Sequence, residues 1–218
     1  MSLVNGHKLL SINDKRVDHI RRKDKRFDLI CRKIGDIEYS LYSDDYIFFI
    51  STFIGQMLSN KASATIYKRI ESLCNNNVCP DNINMLFDEE IRNAGVSAQK
   101  LGYIRSFTDG ILDGSVDLKK INNLSDDDAI KELKKIRGIG DWSAKMYLIF
   151  VLDRQDILPV EDVAFLQGYE WMSGTRDRAE LIADSEKWKP YSSIVARYLY
   201  KALDGGFTKT GISLNSPQ

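Results

Sequence analysis

Two stretches of this chain carry residues whose types and spacing suit chemistry. The first is 133–152, LKKIRGIGDWSAKMYLIFVL. A Lys-rich helix is expected to end near Ile136, and a strongly apolar one to begin near Ser143. Between them Gly138 and Gly140 flank Ile139. Two glycines allow a tight turn and let backbone N–H groups approach a partner with no Cβ in the way. Ile139 is expected to tuck back between the helices. The bared N–H groups and the positive end of the second helix then form an anion site suited to a DNA phosphate. Lys131, Lys134, Lys135, Arg137 and Lys145 cluster here, although a charge run is as readily a solvated face. On its own, the glycine pair reads sooner as the turn of a plain helical hairpin. The second stretch, Leu158-Pro159-Val160-Glu161-Asp162, lies before an apolar helical run, 163–172. Asp162 falls at the expected N-cap, where a carboxylate commonly does nothing more than cap.

The elements that must position these residues read as helices nearly throughout. Leu101, Ile104, Phe107, Thr108 and Ile111 recur at three- and four-residue steps, as one buried helix face requires. Ile66, Ile70 and Leu73 do the same, as do Ile194, Val195, Tyr198, Leu199 and Ala202. Ser43-Asp44-Asp45 and Ser125 with its three following aspartates read as helix starts. Only 38–42 reads as extended. Pro80, Pro159, Pro190 and Pro217 fit loops or helix starts. The expectation is an all-α protein of about nine to eleven helices.

At 218 residues the chain is long enough for one large domain or two small lobes with real cores. With 43% hydrophobic and 28% charged residues, the composition is that of a soluble globular protein. No apolar stretch is long enough to span a bilayer, and the charged run 14–26 stands where a signal peptide needs an apolar core. No membrane partner is expected, and an intracellular location is: cytoplasmic and nucleoid-associated in a prokaryote, nuclear in a eukaryote. A formal net charge of zero gives no global pull toward nucleic acid, so any such binding must rest on local surfaces and backbone donors. Cys31, Cys74 and Cys79 match neither a zinc nor an iron–sulfur spacing and read as reduced thiols.

Taken together, the hairpin, the apolar helix and the Pro-containing loop ending in Asp resemble the helix-hairpin-helix DNA glycosylase superfamily. The likeness is to its 3-methyladenine DNA glycosylase II branch. Phe53-Ile54-Gly55-Gln56-Met57-Leu58-Ser59 resembles that branch's I-x-G-Q-Q-L-S stretch. Gly95-Val96-Ser97 with Lys100 and Tyr103 resembles its G-L-S-x-x-K-x-x-Y segment. Trp188-Lys189-Pro190-Tyr191-Ser192-Ser193 with Ala196 and Tyr198-Leu199-Tyr200 resembles its W-x-P-Y-R-S-x-A-x-x-Y-L-W. The chain departs from the pattern at Met57 for Gln, Ser192 for Arg and Tyr200 for Trp. It is similar to a compact form of the branch, without an N-terminal β-rich domain.

The resemblance implies two helical lobes with a DNA-binding cleft between them. One lobe would be 1–45 plus 163–218, the other 46–162 with the hairpin at about 133–152. It implies hydrolytic removal of alkylated purines of the 3-methyladenine type from damaged duplex DNA, leaving an abasic site, by a monomer. Asp162 would be the catalytic carboxylate, stabilising positive charge on the sugar and orienting water. Glu161 ranks a distant second. Trp142 occupies the place where relatives with lyase activity carry a Schiff-base Lys, so a monofunctional enzyme is expected. Lys145, about 300° further round the helix, is poorly placed to substitute. Trp142 and Tyr200 would line the base pocket, where an indole face attracts a cationic base; Phe49 and Tyr46 are lesser candidates. Met57 would wedge into the duplex in place of the extruded base, with Gln56 bracing its loop. Gly138, Ile139, Gly140 and Lys145 would contact DNA. The carbonyls of Lys134, Ile136 and Ile139 match those that hold a monovalent cation in relatives; no cofactor for catalysis is implied. Trp188 and Pro190 read as structural. A glycosylase for oxidised or deaminated bases, and a non-catalytic DNA-binding hairpin protein, are the alternatives.

Overall fold

The computed structural model describes residues 4–209. Its elements, in chain order, are β1 (Val4–Leu10), α1 (Lys15–Lys23), α2 (Lys25–Ile34), β2 (Ile37–Tyr42), α3 (Asp45–Gly55) and α4 (Asn60–Leu73). There follow α5 (Pro80–Met85), α6 (Asp88–Asn93), α7 (Ala98–Leu112), α8 (Leu118–Asn122), α9 (Asp126–Leu133) and α10 (Asp141–Phe150). The last are α11 (Val163–Ser173), α12 (Arg178–Ser185) and α13 (Ser192–Asp204), before a 3₁₀ turn at Phe207–Lys209. The fold is all-α apart from one two-stranded sheet, β1–β2. Extended structure near 38–42 is present as β2, while β1, with its mixed polar and apolar residues, was not expected. Thirteen helices stand among the described residues, more than the nine to eleven expected, because α5, α6 and α8 are single short turns without a readable period. Pro217 lies outside the described residues.

Most helices begin on a side-chain cap. Asp14, Asp24, Asp44, Ser59, Ser97, Asp117, Ser125, Asp162 and Asp177 each accept a backbone N–H from the first turn. In the Ser43-Asp44-Asp45 run the cap is Asp44. Pro80 is the first residue of α5. Pro190 follows a cis peptide bond and precedes α13 by two residues, with Tyr191 as N-cap.

The chain divides into two compact units. One is Tyr42–Tyr147; the other combines Gly6–Leu41 with the chain from Leu148 onward. The expected lobes divided after residue 162, whereas the units divide inside α10. The reason is local: Ile149 and Phe150 are held by α13, through the Arg197 guanidinium and the Tyr200 ring.

The central unit is built on a cluster of rings. Phe49 lies 4.7 Å from Tyr147 and 5.2 Å from Phe107, and Phe53 lies 5.7 Å from Phe107. These contacts fix α3, α7 and α10 together. Buried hydroxyls find partners, Tyr46 with Thr108 and Tyr147 with Asn122, both at 2.7 Å. Tyr46 and Phe49 are thus core residues, 6% and 0% exposed, and not pocket walls.

In the second unit α2, α11 and α13 pack around Phe27, Tyr198, Tyr169 and Trp188. Gly168 lets α11 approach α13: a Cβ there would sit 2.8 Å from that of Leu199. Trp188 is fully buried and donates its indole N–H to Asp24 at 3.0 Å, as a structural residue should. Burial pushes the Asp24 carboxyl up, but hydrogen bonds from Arg26 and Trp188 outweigh it and leave it below its ordinary value.

Candidate active site

The hairpin is formed much as the residues suggest, with sharper limits. Its first helix, α9, ends at Leu133, and the second starts at Asp141. Between them Ile139 is 6% exposed and donates its N–H to the Ile136 carbonyl at 3.1 Å. Gly138 has φ +93°, a backbone state that L side chains rarely adopt, and a Cβ there would meet the Tyr103 ring at 2.6 Å. Gly140 is exposed, with open space where its Cβ would be.

The lysine cluster is less positive than the sequence suggests. Lys134 holds both oxygens of Asp141 at 2.8 Å, Lys135 pairs with Glu132 at 2.6 Å, and Lys131 with Asp128 at 3.1 Å. The hydrogen bond from Lys134 holds the Asp141 carboxyl below its ordinary value, with Lys145 adding to the effect through its charge. Arg137 is exposed, its guanidinium 5.9 Å from the Tyr103 ring.

Gln56 does brace a loop: its side-chain N–H donates to the Gly138 carbonyl at 2.9 Å, tying the α3–α4 turn to the hairpin. That turn runs Gly55-Gln56-Met57-Leu58, closed by Leu58 N–H on the Gly55 carbonyl at 3.0 Å. Gln56 has φ −49° and ψ 127°, and Met57 has φ +57°. These are the angles of a type II turn, whose third position favours glycine. A methionine is therefore held in a backbone state that costs about 1–2 kcal/mol. Its side chain is 101% exposed, beside Leu58 at 40%. A bulky apolar side chain kept strained and in water has no packing purpose within the described residues, and such strain collects at functional positions. Lys100 completes the arrangement by donating to the Ile54 carbonyl at 2.8 Å, at the end of α3. Burial lowers its ammonium's pKa. Trp142 stands in the first turn of α10 and is 38% exposed, so it is not a core side chain.

In the second unit, Asp162 caps α11 and accepts the Phe165 N–H at 2.6 Å. It is only half-buried, which leaves the carboxylate accessible. Burial, and after it the charge of Asp162, push the phenol of Tyr200 on α13 well above its ordinary value. The Tyr200 ring packs 5.8 Å from Phe150 and 6.4 Å from Phe165. Val163, next to Asp162, is 72% exposed.

The segment leading to Asp162 is pinned from α13. Ser192 donates N–H and hydroxyl to Asp156 at 3.1 and 2.6 Å. Ser193 donates its N–H to the Gln155 carbonyl and accepts the Ile157 N–H on its hydroxyl. Arg197, 6% exposed, donates to the Ile149 carbonyl at 2.6 Å and pairs with Asp153 at 2.9 Å, its guanidinium 3.9 Å from the Tyr39 ring. Nothing in the residue pattern marked Arg197 as buried. Lys100 and Tyr103 were visible as motif residues, but their tasks, closing α3 and backing Gly138, were not.

Among the described residues no group of His, Cys, Asp and Glu is arranged to hold a metal ion, and no helix is long and apolar enough to cross a membrane. The cysteines are free thiols; burial raises the Cys31 thiol to about 12 and that of Cys74 to about 11.

Comparison with known proteins agrees with this geometry. Residues 50–191 match the HhH-GPD superfamily base excision DNA repair proteins. DNA-3-methyladenine glycosylase 1 of Schizosaccharomyces pombe is 30% identical over 192 residues, 84% of each chain. The crystal structure of DNA-3-methyladenine glycosidase from Bacillus halodurans superposes with a TM-score of 0.85 at 30% identity, covering 95% of this chain and 97% of that one. A Schizosaccharomyces pombe 3-methyladenine DNA glycosylase in complex with abasic DNA has a TM-score of 0.78 at 24% identity, a likeness of fold, covering 93% and 100%. The chain belongs to the HhH-GPD superfamily of base excision DNA repair proteins and is a DNA glycosylase, a hydrolase of N-glycosyl bonds.

Proposed function

We propose that this glycosylase is monofunctional and removes alkylated purines of the 3-methyladenine type from duplex DNA, leaving an abasic site. The observation that carries the reading is Asp162: a half-buried carboxylate fixed at a helix start by the Phe165 N–H. Cleavage of an N-glycosidic bond leaves its electron pair on the departing base and positive charge on the sugar. A carboxylate already fixed in place stabilises that charge without reorganising and can take a proton from the attacking water. The names of the similar proteins support the lesion class.

The remaining roles belong to the same proposal. Exposed Met57 on its strained turn fills the gap left by the extruded base, offsetting an unstacking cost of a few kcal/mol. Gly138 and Gly140, just before α10, offer backbone N–H groups to a phosphate, with Lys145 further along the helix, whereas the N–H of the intervening Ile139 is spent on the Ile136 carbonyl. The half-exposed indole of Trp142 attracts a cationic base by roughly 0.5–2 kcal/mol and cannot form a Schiff base. The carbonyls of Lys134, Ile136 and Ile139 are neutral oxygen donors of the kind a monovalent cation takes. Ile136 spends one lone pair on Ile139 and keeps the other. Such an ion would supply a positive charge facing a DNA phosphate. The protein would act as a monomer wherever its DNA lies, in cytoplasm or nucleus.

The test is a panel of duplexes, each with one alkylated, deaminated or oxidised base, assayed with and without alkali and with borohydride present. Release of 3-methyladenine, nicking only after alkali and no trapped protein–DNA band are expected. A trapped band would end the monofunctional reading, and preferential release of an oxidised base would end the alkyl one.

A further inference from the structure

A side chain that wedges into a duplex is useful only at a set distance from the phosphate that holds the strand, because a turn free to pivot lets the wedge withdraw. Three contacts set that distance for the Met57 turn. Gln56 donates to the Gly138 carbonyl at 2.9 Å and joins the turn to the hairpin across 82 residues of chain. Tyr103 of α7 lies against the hairpin, so closely that a Cβ on Gly138 would sit 2.6 Å from its ring. Lys100, one turn earlier on the same face of α7, donates to the Ile54 carbonyl at 2.8 Å, just before the turn. The turn, the hairpin and α7 therefore brace one another pairwise, all within the unit Tyr42–Tyr147.

Lys100 is the member of this set whose chemistry needs a reason. It is half-buried, and among the described residues its ammonium pairs with no acid. Taking an ammonium partly out of water for a neutral carbonyl adds little stability. It does bring a donor and a positive charge to a last-turn carbonyl of α3, a group that a helix leaves without an intrahelical partner. We propose that Lys100 is a positioning residue for base extrusion: its ammonium holds the end of α3 so that Met57 enters the duplex at a fixed depth. This rests on the wedge reading of Met57 given above. Lys100 touches neither the lesion nor a phosphate, and the bond-breaking step remains that of Asp162.

The experiment uses Lys100→Met, which keeps the apolar stem and removes the ammonium. Lys100→Gln, too short to reach the Ile54 carbonyl, serves should the first variant not fold. The variant is compared with Met57→Ala and with the double variant on a fully paired 3-methyladenine duplex and on one with the lesion opposite a mismatch. The ratio of single-turnover release, paired over mismatched, should fall about three- to tenfold for Lys100→Met. In the double variant it should fall no further than in Met57→Ala alone, since a missing wedge cannot be misplaced. A general loss of stability would slow release from both duplexes alike and leave the ratio unmoved. Binding to an abasic-analogue duplex should keep its salt dependence; a log–log slope shallower by about 0.9 would make Lys100 a phosphate contact and overturn its positioning role. So would an unmoved ratio, or losses that multiply in the double variant; with the Met57→Ala ratio lowered, either result leaves the wedge standing. A Met57→Ala ratio equal to that of wild type would overturn both readings.

Discussion

Gly138 and Gly140 look alike in the sequence and should behave oppositely when given a methyl group. At Gly138 an alanine must hold φ +93° and place its Cβ 2.6 Å from Cγ and 2.7 Å from Cδ2 of Tyr103. The backbone state costs about 1–2 kcal/mol for an L residue. Relieving the overlap with the ring costs about 1–3 kcal/mol more. Tyr103 cannot retreat freely, because Phe53 lies 6.0 Å from its ring. Gly138→Ala should therefore destabilise the protein by roughly 2–5 kcal/mol, and at about 2–4 °C per kcal/mol for a chain of this size the melting temperature falls by roughly 4–20 °C. Gly140→Ala meets nothing within 4 Å, and its stability should stay within about 1 kcal/mol of wild type. Calorimetry of the two single variants decides it. Equal melting temperatures, or a larger loss at Gly140, would refute the steric reasoning. The folded Gly140→Ala variant is also the better probe of DNA contact. It should weaken binding to damaged and undamaged duplex alike, since phosphate contacts position without reading sequence.

Met57→Ala should lower release of a lesion in a fully paired duplex more than release of the same lesion opposite a mismatch, whose extrusion costs less; single-turnover rates on the two duplexes give the ratio, and an unchanged ratio would remove the wedge. Because Met57 is fully exposed, the variant's melting temperature should hardly move. Asp24, with its carboxyl held below the ordinary 3.8, contributes stability that is complete above that value and is lost as pH falls through the lowered one. Asp24→Asn should therefore lose about 1–3 kcal/mol near neutral pH and show a flatter fall in melting temperature below about pH 4 than wild type does.

The helical class and the hairpin were legible because their signals are local. Gly138-Ile139-Gly140 demands a turn, and the apolar run after it demands burial. The buried face of α13 was readable from period alone, since Ile194, Val195, Tyr198, Leu199 and Ala202 are all buried. Asp162 was legible as a cap, and the cap is observed. What local pattern cannot give is where a side chain ends. Arg197 of α13 lies against Tyr39 and Asp153, contacts that no local pattern announces. The Lys131–Lys135 run reads as a basic patch, yet each of its lysines is tied to a nearby acid. The strain at Met57 is also invisible in sequence; its exposure and its positive φ come from the turn geometry.

In the proposed reaction a single carboxylate, Asp162, drives cleavage of the glycosidic bond. The most direct test is single-turnover release of 3-methyladenine from a duplex by wild type and by Asp162→Asn, with binding to an abasic-analogue duplex measured on the same preparations. Asn keeps the shape and can still accept the Phe165 N–H, so α11 stays capped and the variant folds. Release should be abolished while binding is retained. Release at a near-wild-type rate by the folded variant would contradict it and leave Asp162 as no more than the cap of a helix.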